Sequence, residues 1–123
     1  MWVAALRSGY YTQGMGKLRR DDDTFCCFGV LCEIAVRFKI IPPPVLDMTC
    51  YRYECNSFSY PPVAVLGWAE MDPTFRFSAK ELRAVHPEIV AVHDRPVDLA
   101  ELNDVGVSFS IIADIIERYG AEL

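Results

Sequence analysis

Five cysteines and two histidines are the side chains of this 123-residue chain best equipped for chemistry. Cys26, Cys27 and Cys32 lie close together, Cys50 and Cys55 follow, and His86 and His93 stand further on. Thiolates with imidazoles can ligate a metal or form a nucleophile–base pair. A zinc site, however, normally brings a cysteine pair two to four residues apart and a matching second pair. Here the spacing demands no such set, and on a helix Cys27 and Cys32 point in different directions. Free cysteine is among the most buried residue types, so plain core packing is the expected role, with no metal and no cofactor. Neither cysteine segment resembles a protease motif, and both histidines lie in a Pro-flanked region. No catalytic residue is assigned. An odd count with two adjacent thiols suits reduced cysteines in a cytoplasm better than a disulfide framework.

A second candidate is the loop Gln13-Gly-Met-Gly-Lys17. A phosphate-cradling loop would need another upstream glycine and a Ser or Thr after the lysine, where this chain has Leu18. A glycine turn with solvated Lys17 and Arg19 is the simpler reading. The segment is still the best place for an anionic ligand or a partner, because Arg7, Lys17, Arg19 and Arg20 flank Tyr10, Tyr11 and Gln13. Tyr11, Gln13, Lys17 and Arg19 are expected to form a functional surface rather than a fold element. A pocket between this segment and Asn103 or Asp104 would suit an anion.

The third candidate is the ending from Leu99 to Glu117, which has the outline of a helix-turn-helix. The second helix would present Ser110, Asp114 and Glu117, with no cation before Arg118. Carboxylates there would repel phosphates and could not make the guanine contacts that arginine makes. A helical corner that closes the core is expected instead, with Asn103 and Asp104 fixing the turn before Gly106. Asp114 and Glu117 would then face outward, within reach of a basic protein partner.

The elements that must position these groups read as follows. Trp2 to Ser8 has helical spacing and stops at Gly9; Tyr10 to Arg20 reads as a loop with a short strand. Asp21 to Thr24 looks like a helix start, since acidic and hydroxyl groups satisfy free amides and the dipole there. The following helix, Phe25 to about Arg37, should bury Cys27, Leu31, Ile34 and Phe38. Ile41-Pro-Pro-Pro forces an extended connection. A strand is expected over Thr49–Tyr53, continuing as a hairpin past Asn56. Pro61 and Pro62 should open a helix to about Met71 that buries Val65, Leu66 and Trp68. A strand over Thr74–Phe77, a helix over Ala79–Val85 and a strand over Glu88–His93 come next. The chain closes with helices at Asp98–Asn103 and Phe109 to about Tyr119, the latter capped by Ser108.

This length and composition suit one domain, residues 1–123, with a packed core. The fold class is α+β, helix-rich, with a small antiparallel sheet or hairpin and a C-terminal helical pair. The longest apolar run, Ile34 to Ile41, is broken by Arg37 and Lys39, so no membrane span is expected. The N-terminus lacks the pattern of a secretory signal. The net charge of -5 divides unevenly: residues 1–40 carry six Lys/Arg against four Asp/Glu, and the remainder six against thirteen. The larger part would repel a phosphate backbone, which argues against direct nucleic-acid binding.

Three blocks carry a resemblance: the Trp-x-x-Ala-Leu-Arg-Ser-Gly-x-Tyr-x-Gln-Gly-x-Gly-x-Leu-Arg pattern at Trp2 to Arg19, Phe-Cys-Cys-x-Gly-Val-Leu-Cys at Phe25 to Cys32, and Leu-Asn-Asp-x-Gly-x-Ser-Phe-x-x-Ile-Ala-Asp-x-Ile-Glu at Leu102 to Glu117. Together they resemble small accessory proteins of tailed phages and prophages. The resemblance implies a phage-borne accessory protein and supplies no chemistry. Two classes of function follow. One is an inhibitor that binds a host protein in the bacterial cytoplasm, for example an anti-CRISPR-like protein occluding a basic, nucleic-acid-handling defence component. The other is a module that sequesters a small ligand or nucleotide on the basic loop, or an enzyme whose site carries no recognised motif.

Overall fold

A computed structural model describes residues 1–89 and 95–120, the side chain of Cys55 excepted. The class is the expected one: α+β, helix-rich, with small two-stranded sheets and a helical pair at the C-terminus. The helices among the described residues are α1 (Trp2–Arg7), α2 (Cys27–Arg37), α3 (Val63–Ala69), α4 (Ala79–Val85), α5 (Leu99–Asp104) and α6 (Phe109–Tyr119).

The centre of the core is α2. Cys27, Phe28, Val30, Cys32 and Ala35 are fully buried, and α1, α3 and α5 pack around this helix. Its start differs from the expected one. Thr24 and Phe25 form a short strand, β2, paired in parallel with β1 (Thr12–Gln13), and the hydroxyl of Thr24 donates to Asp22. The cap falls instead to Cys26, whose sulfur accepts from the Gly29 amide at 3.4 Å. Sheet pairing thus took the residues whose chemistry suited capping. The far end differs too. The helix stops at Arg37, Lys39 adopts φ 61°, and Phe38 turns out of the core to stand 52% exposed.

The expected strand around Thr49–Tyr53 is β4 (Cys50–Arg52), but its hairpin partner lies upstream. It pairs antiparallel with β3 (Val45–Asp47) through a turn in which Met48 has φ 58°. Past Asn56 the chain makes only an isolated bridge between Tyr53 and Ser57. In α3 only Val65 is fully buried, and Leu66 and Trp68 remain partly exposed. The third pair joins β5 (Phe77–Ser78) to β6 (Pro96–Val97). Thr74 and Phe75 lie outside that strand. Of the strand expected over Glu88–His93, Glu88 lies in a turn, and the residues beyond Ile89, His93 included, fall outside the described residues.

The C-terminal pair forms as expected. The Ser108 hydroxyl accepts from the Ile111 amide, Asp98 caps α5 through the Glu101 amide, and Gly106 takes φ 89° between the helices. Ile112, Ala113, Ile115 and Ile116 are buried, and α6 packs against both α5 and α1. Truncating Ile112 or Ile115 to Ala removes packed atoms from a closed core. Each is expected to lower stability by about 2–5 kcal/mol in urea denaturation.

Candidate functional site

The basic loop folds inward more than the sequence suggests. Leu18 is completely buried beneath α2, and its carbonyl accepts from the Cys26 amide at 3.3 Å. The loop cations on either side have partners. Arg20 donates from Nε and from a terminal nitrogen to the Met15 carbonyl, at 3.0 and 2.8 Å. Lys17 sits 4.4 Å from the centroid of the Phe58 ring. Arg19 is held most firmly, bonded to Asp23 and to Glu33 and lying 4.0 Å over the Tyr51 ring. Burial opposes the charge on Arg19, yet the Asp23 bond and the nearby Glu33 hold its pKa above the ordinary value.

Gln13 is directed to the interior. Its amide nitrogen donates to the Asn103 side-chain oxygen at 2.9 Å and to the Val107 carbonyl at 2.7 Å, and its oxygen accepts from the Phe109 amide. Asn103, fully buried, also accepts from the Cys27 amide and donates to the Gly14 carbonyl. It therefore ties the first loop, α2 and α5 together rather than fixing its own turn. Asp104 accepts the Gly16 amide at 2.8 Å. Those bonds occupy the ground between the loop and Asn103/Asp104, where a pocket for an anion would have favoured the ligand-binding class. They also use an amide that a phosphate loop would have offered.

Arg7, Asp114 and Glu117 meet on the surface. The guanidinium of α1 bonds both carboxylates of α6, and the Glu117 bond is the largest cause of the raised Arg7 pKa. The two acids expected to face a partner thus clamp the first helix to the last. On the polar face that a recognition helix would turn to DNA, Arg7 of α1 engages both carboxylates, while Ser110 stays exposed.

Two adjoining clefts lie over α2 and share Tyr10, Tyr11 and Arg37. The first, about 620 Å³, is charged and contains Arg19, Asp22, Asp23 and Glu33. Its floor is an ordered network in which Glu33 accepts from Arg19 and from the Tyr53 hydroxyl at 2.7 Å. Burial, reinforced by Glu33, pushes the Tyr53 pKa upward, so this hydroxyl stays a donor. The second cleft, about 530 Å³, is mainly apolar, with Met1, Ala4, Ala5, Ile34 and Phe38 along it. Tyr10 stands 78% exposed and edge-on to Tyr11, with ring centroids 5.0 Å apart. Tyr10, Tyr11 and Arg19 were candidates from sequence, whereas Arg37 and Phe38 were read only as the end of a core helix. The left-handed residue that follows them leaves no mark in apolar spacing, which continues through Phe38.

Cys26, Cys27 and Cys32 are poorly placed for chemistry. Cys26, Cys27, Cys32 and Cys50 are buried and unpaired. Burial pushes the Cys26 thiol up to about 11 and raises Cys27 and Cys32 as well, which disfavours the reactive thiolate. Among the described residues no group of three or more His, Cys, Asp or Glu could hold a metal. His86 lies 3.9 Å from Glu88. Alkylation at neutral pH, mapped by mass spectrometry, is expected to leave Cys26, Cys27 and Cys32 unmodified in the folded protein and to label all three after denaturation. Rapid native labelling of any of them would contradict the burial.

A family model described as a domain of unknown function, DUF8296, matches residues 1–120. No curated protein and no solved structure matches the chain.

Proposed function

This chain belongs to the DUF8296 family, and we propose that it is a phage-borne binding protein that inhibits a host component. The host component is a basic, nucleic-acid-handling defence protein in the bacterial cytoplasm, and inhibition works by covering its surface. The observation that carries this reading is the disposition of charge. Arg7, Arg19 and Arg20 of the basic segment are bonded within the fold. Meanwhile Asp21, Glu54, Glu70 and Glu81 stand exposed and enter no ion pair among the described residues. With a net charge of -5, such an exterior repels nucleic acid and attracts the basic channel of a protein that handles it. The buried thiols of Cys26, Cys27 and Cys32, held protonated, are poor nucleophiles, which favours occlusion over covalent chemistry. Among the described residues no helix is long and apolar enough to cross a membrane.

Nucleotide sequestration has less support. Asp22, Asp23 and Glu33 outnumber Arg19 and Arg37 around the cleft beside the loop, and Arg19 is already paired with Asp23 and Glu33, which disfavours a phosphate there. The test of the inhibitory reading is to express the chain in bacteria carrying single defence systems and to measure phage plating. Restored plating with one system, and recovery of one of its basic components on the tagged chain in a salt-sensitive complex, is the expected outcome. Unchanged plating across the systems, together with retention of duplex or single-stranded DNA in a gel shift, would overturn it.

A further inference from the structure

We infer that the apolar cleft beside Tyr10 and Arg37 is the docking point for a segment of a partner protein that presents a large apolar side chain next to a carboxylate. The inference rests on the binding-protein reading above and goes beyond it by locating a contact and stating the chemistry that fits it. The cleft gathers Tyr10, Tyr11, Phe38, Met1 and Arg37. Aromatic residues, methionine and arginine are the types enriched at the centres of protein interfaces, where acidic residues and lysine are depleted. Three of the chain's exposed large apolar residues, Met1, Tyr10 and Phe38, line this one depression. Exposed apolar groups gathered in this way mark a contact surface, whereas scattered ones need no explanation.

Charge selects the partner. The arginines at positions 7, 19, 52, 76 and 95 are each in an ion pair, while Arg37 is exposed and enters none among the described residues. It is the one side-chain charge of the apolar cleft, and it stands where that cleft meets the charged one. The helix dipole favours a cation in the last turn of α2, but it does not neutralise one. Tyr11 lines both clefts with Arg37, and its hydroxyl makes no hydrogen bond among the described residues, so it too can donate there. A carboxylate entering from the apolar side, away from Asp22, Asp23 and Glu33 in the charged cleft, would receive charge-assisted bonds from Arg37. A basic residue seated in this cleft would meet Arg37 and be repelled; the partner's basic surface meets the exposed carboxylates Asp21, Glu54, Glu70 and Glu81, which lie outside the cleft.

The shape favours a protein segment over a small acid. A small-molecule site buries most of its ligand. Here Tyr10 and Phe38 stand 78% and 52% exposed, so the cleft is an open shelf that takes one side chain and leaves its backbone outside.

The experiment is an unbiased selection. A random-peptide display library is panned on the full chain and counter-selected on Arg37→Glu, whose folding is checked by its melting curve, with Tyr10→Ala as a second variant. Enriched peptides should pair Phe, Trp, Leu or Met with Asp or Glu. Synthetic copies should bind at least tenfold more weakly to either variant. A lysine-for-glutamate copy should regain affinity for Arg37→Glu. The inference is overturned by no enrichment, by enrichment of basic peptides, by binding indifferent to both variants, or by displacement of the peptides by octanoate at equal concentration, which would make the site one for small carboxylates. Self-association of the chain that is lost with Tyr10→Ala would likewise assign the shelf to a second copy. Inhibition of host defence that survives Arg37→Glu would remove this contact while leaving the inhibitory function standing. Peptide binding without any effect on defence would do the reverse.

Discussion

Gly29→Ala is expected to prevent stable folding or to cost at least about 3 kcal/mol. A methyl group added at Gly29 would lie 1.7 Å from the Leu18 carbonyl oxygen and 2.6 Å from its carbon. Overpacking a core usually costs about 1–3 kcal/mol, because side chains can move aside. Here the obstacle is backbone, and Leu18 is itself fully buried and bonded to Cys26 at the start of α2. Relieving the clash must lift either the loop or the central helix. Gly67→Ala makes the opposite case. It lies in α3 with nothing within 4 Å of the added carbon, so alanine should be neutral or stabilise by up to about 1 kcal/mol. Urea denaturation of the two variants side by side checks the pair. A near-native midpoint for Gly29→Ala would show that the loop does not press on the helix as described.

The second large effect is expected at Asn103. Replacement by Ala strands the Cys27 amide and the Gly14 carbonyl and removes one of the two acceptors of the Gln13 amide. A buried polar group left without its partner costs about 1–3 kcal/mol, so the variant should lose about 3–5 kcal/mol. Asn103→Asp keeps the acceptor but loses the donor to Gly14, and it places a charge in a fully buried position; it should be no better tolerated. Because Gln13 and Asn103 share a hydrogen bond, the double variant Gln13→Ala/Asn103→Ala should lose less than the sum of the singles. Strict additivity would mean that the two side chains do not act as one network.

These effects mark the boundary between what the sequence discloses and what it does not. Helix α6 was legible because its evidence is local: a serine cap, a broad apolar stripe and a glycine turn before it. The start of α2 was misleading because two local preferences compete. Acidic residues and Thr24 suit a cap, but Thr24 and Phe25 find strand partners at Thr12 and Gln13, and Cys26 takes the capping role. The hairpin was recognised and its partner misplaced, since a turn at Met48 needs a positive φ that the sequence marks with no glycine or asparagine. The site suffered from separation along the chain. Arg7 is 107 residues from Asp114, and Gln13 is 90 from Asn103. Side-chain type alone made both look like surface groups. Tyr10 and Tyr11 were visible as an aromatic pair, but the arrival of Arg37 beside them depends on how α2 crosses the loop.

We propose that the chain acts by occupying a partner's surface and performs no chemistry on it. Titrating the purified chain into the captured host protein, while following that protein's nucleic-acid binding, tests this most directly. Occlusion predicts inhibition that rises in proportion to added chain, saturates at a fixed stoichiometric ratio, weakens as salt is raised and leaves the partner's intact mass unchanged. Complete, time-dependent inactivation by a small fraction of an equivalent, or a change in the partner's mass, would contradict it.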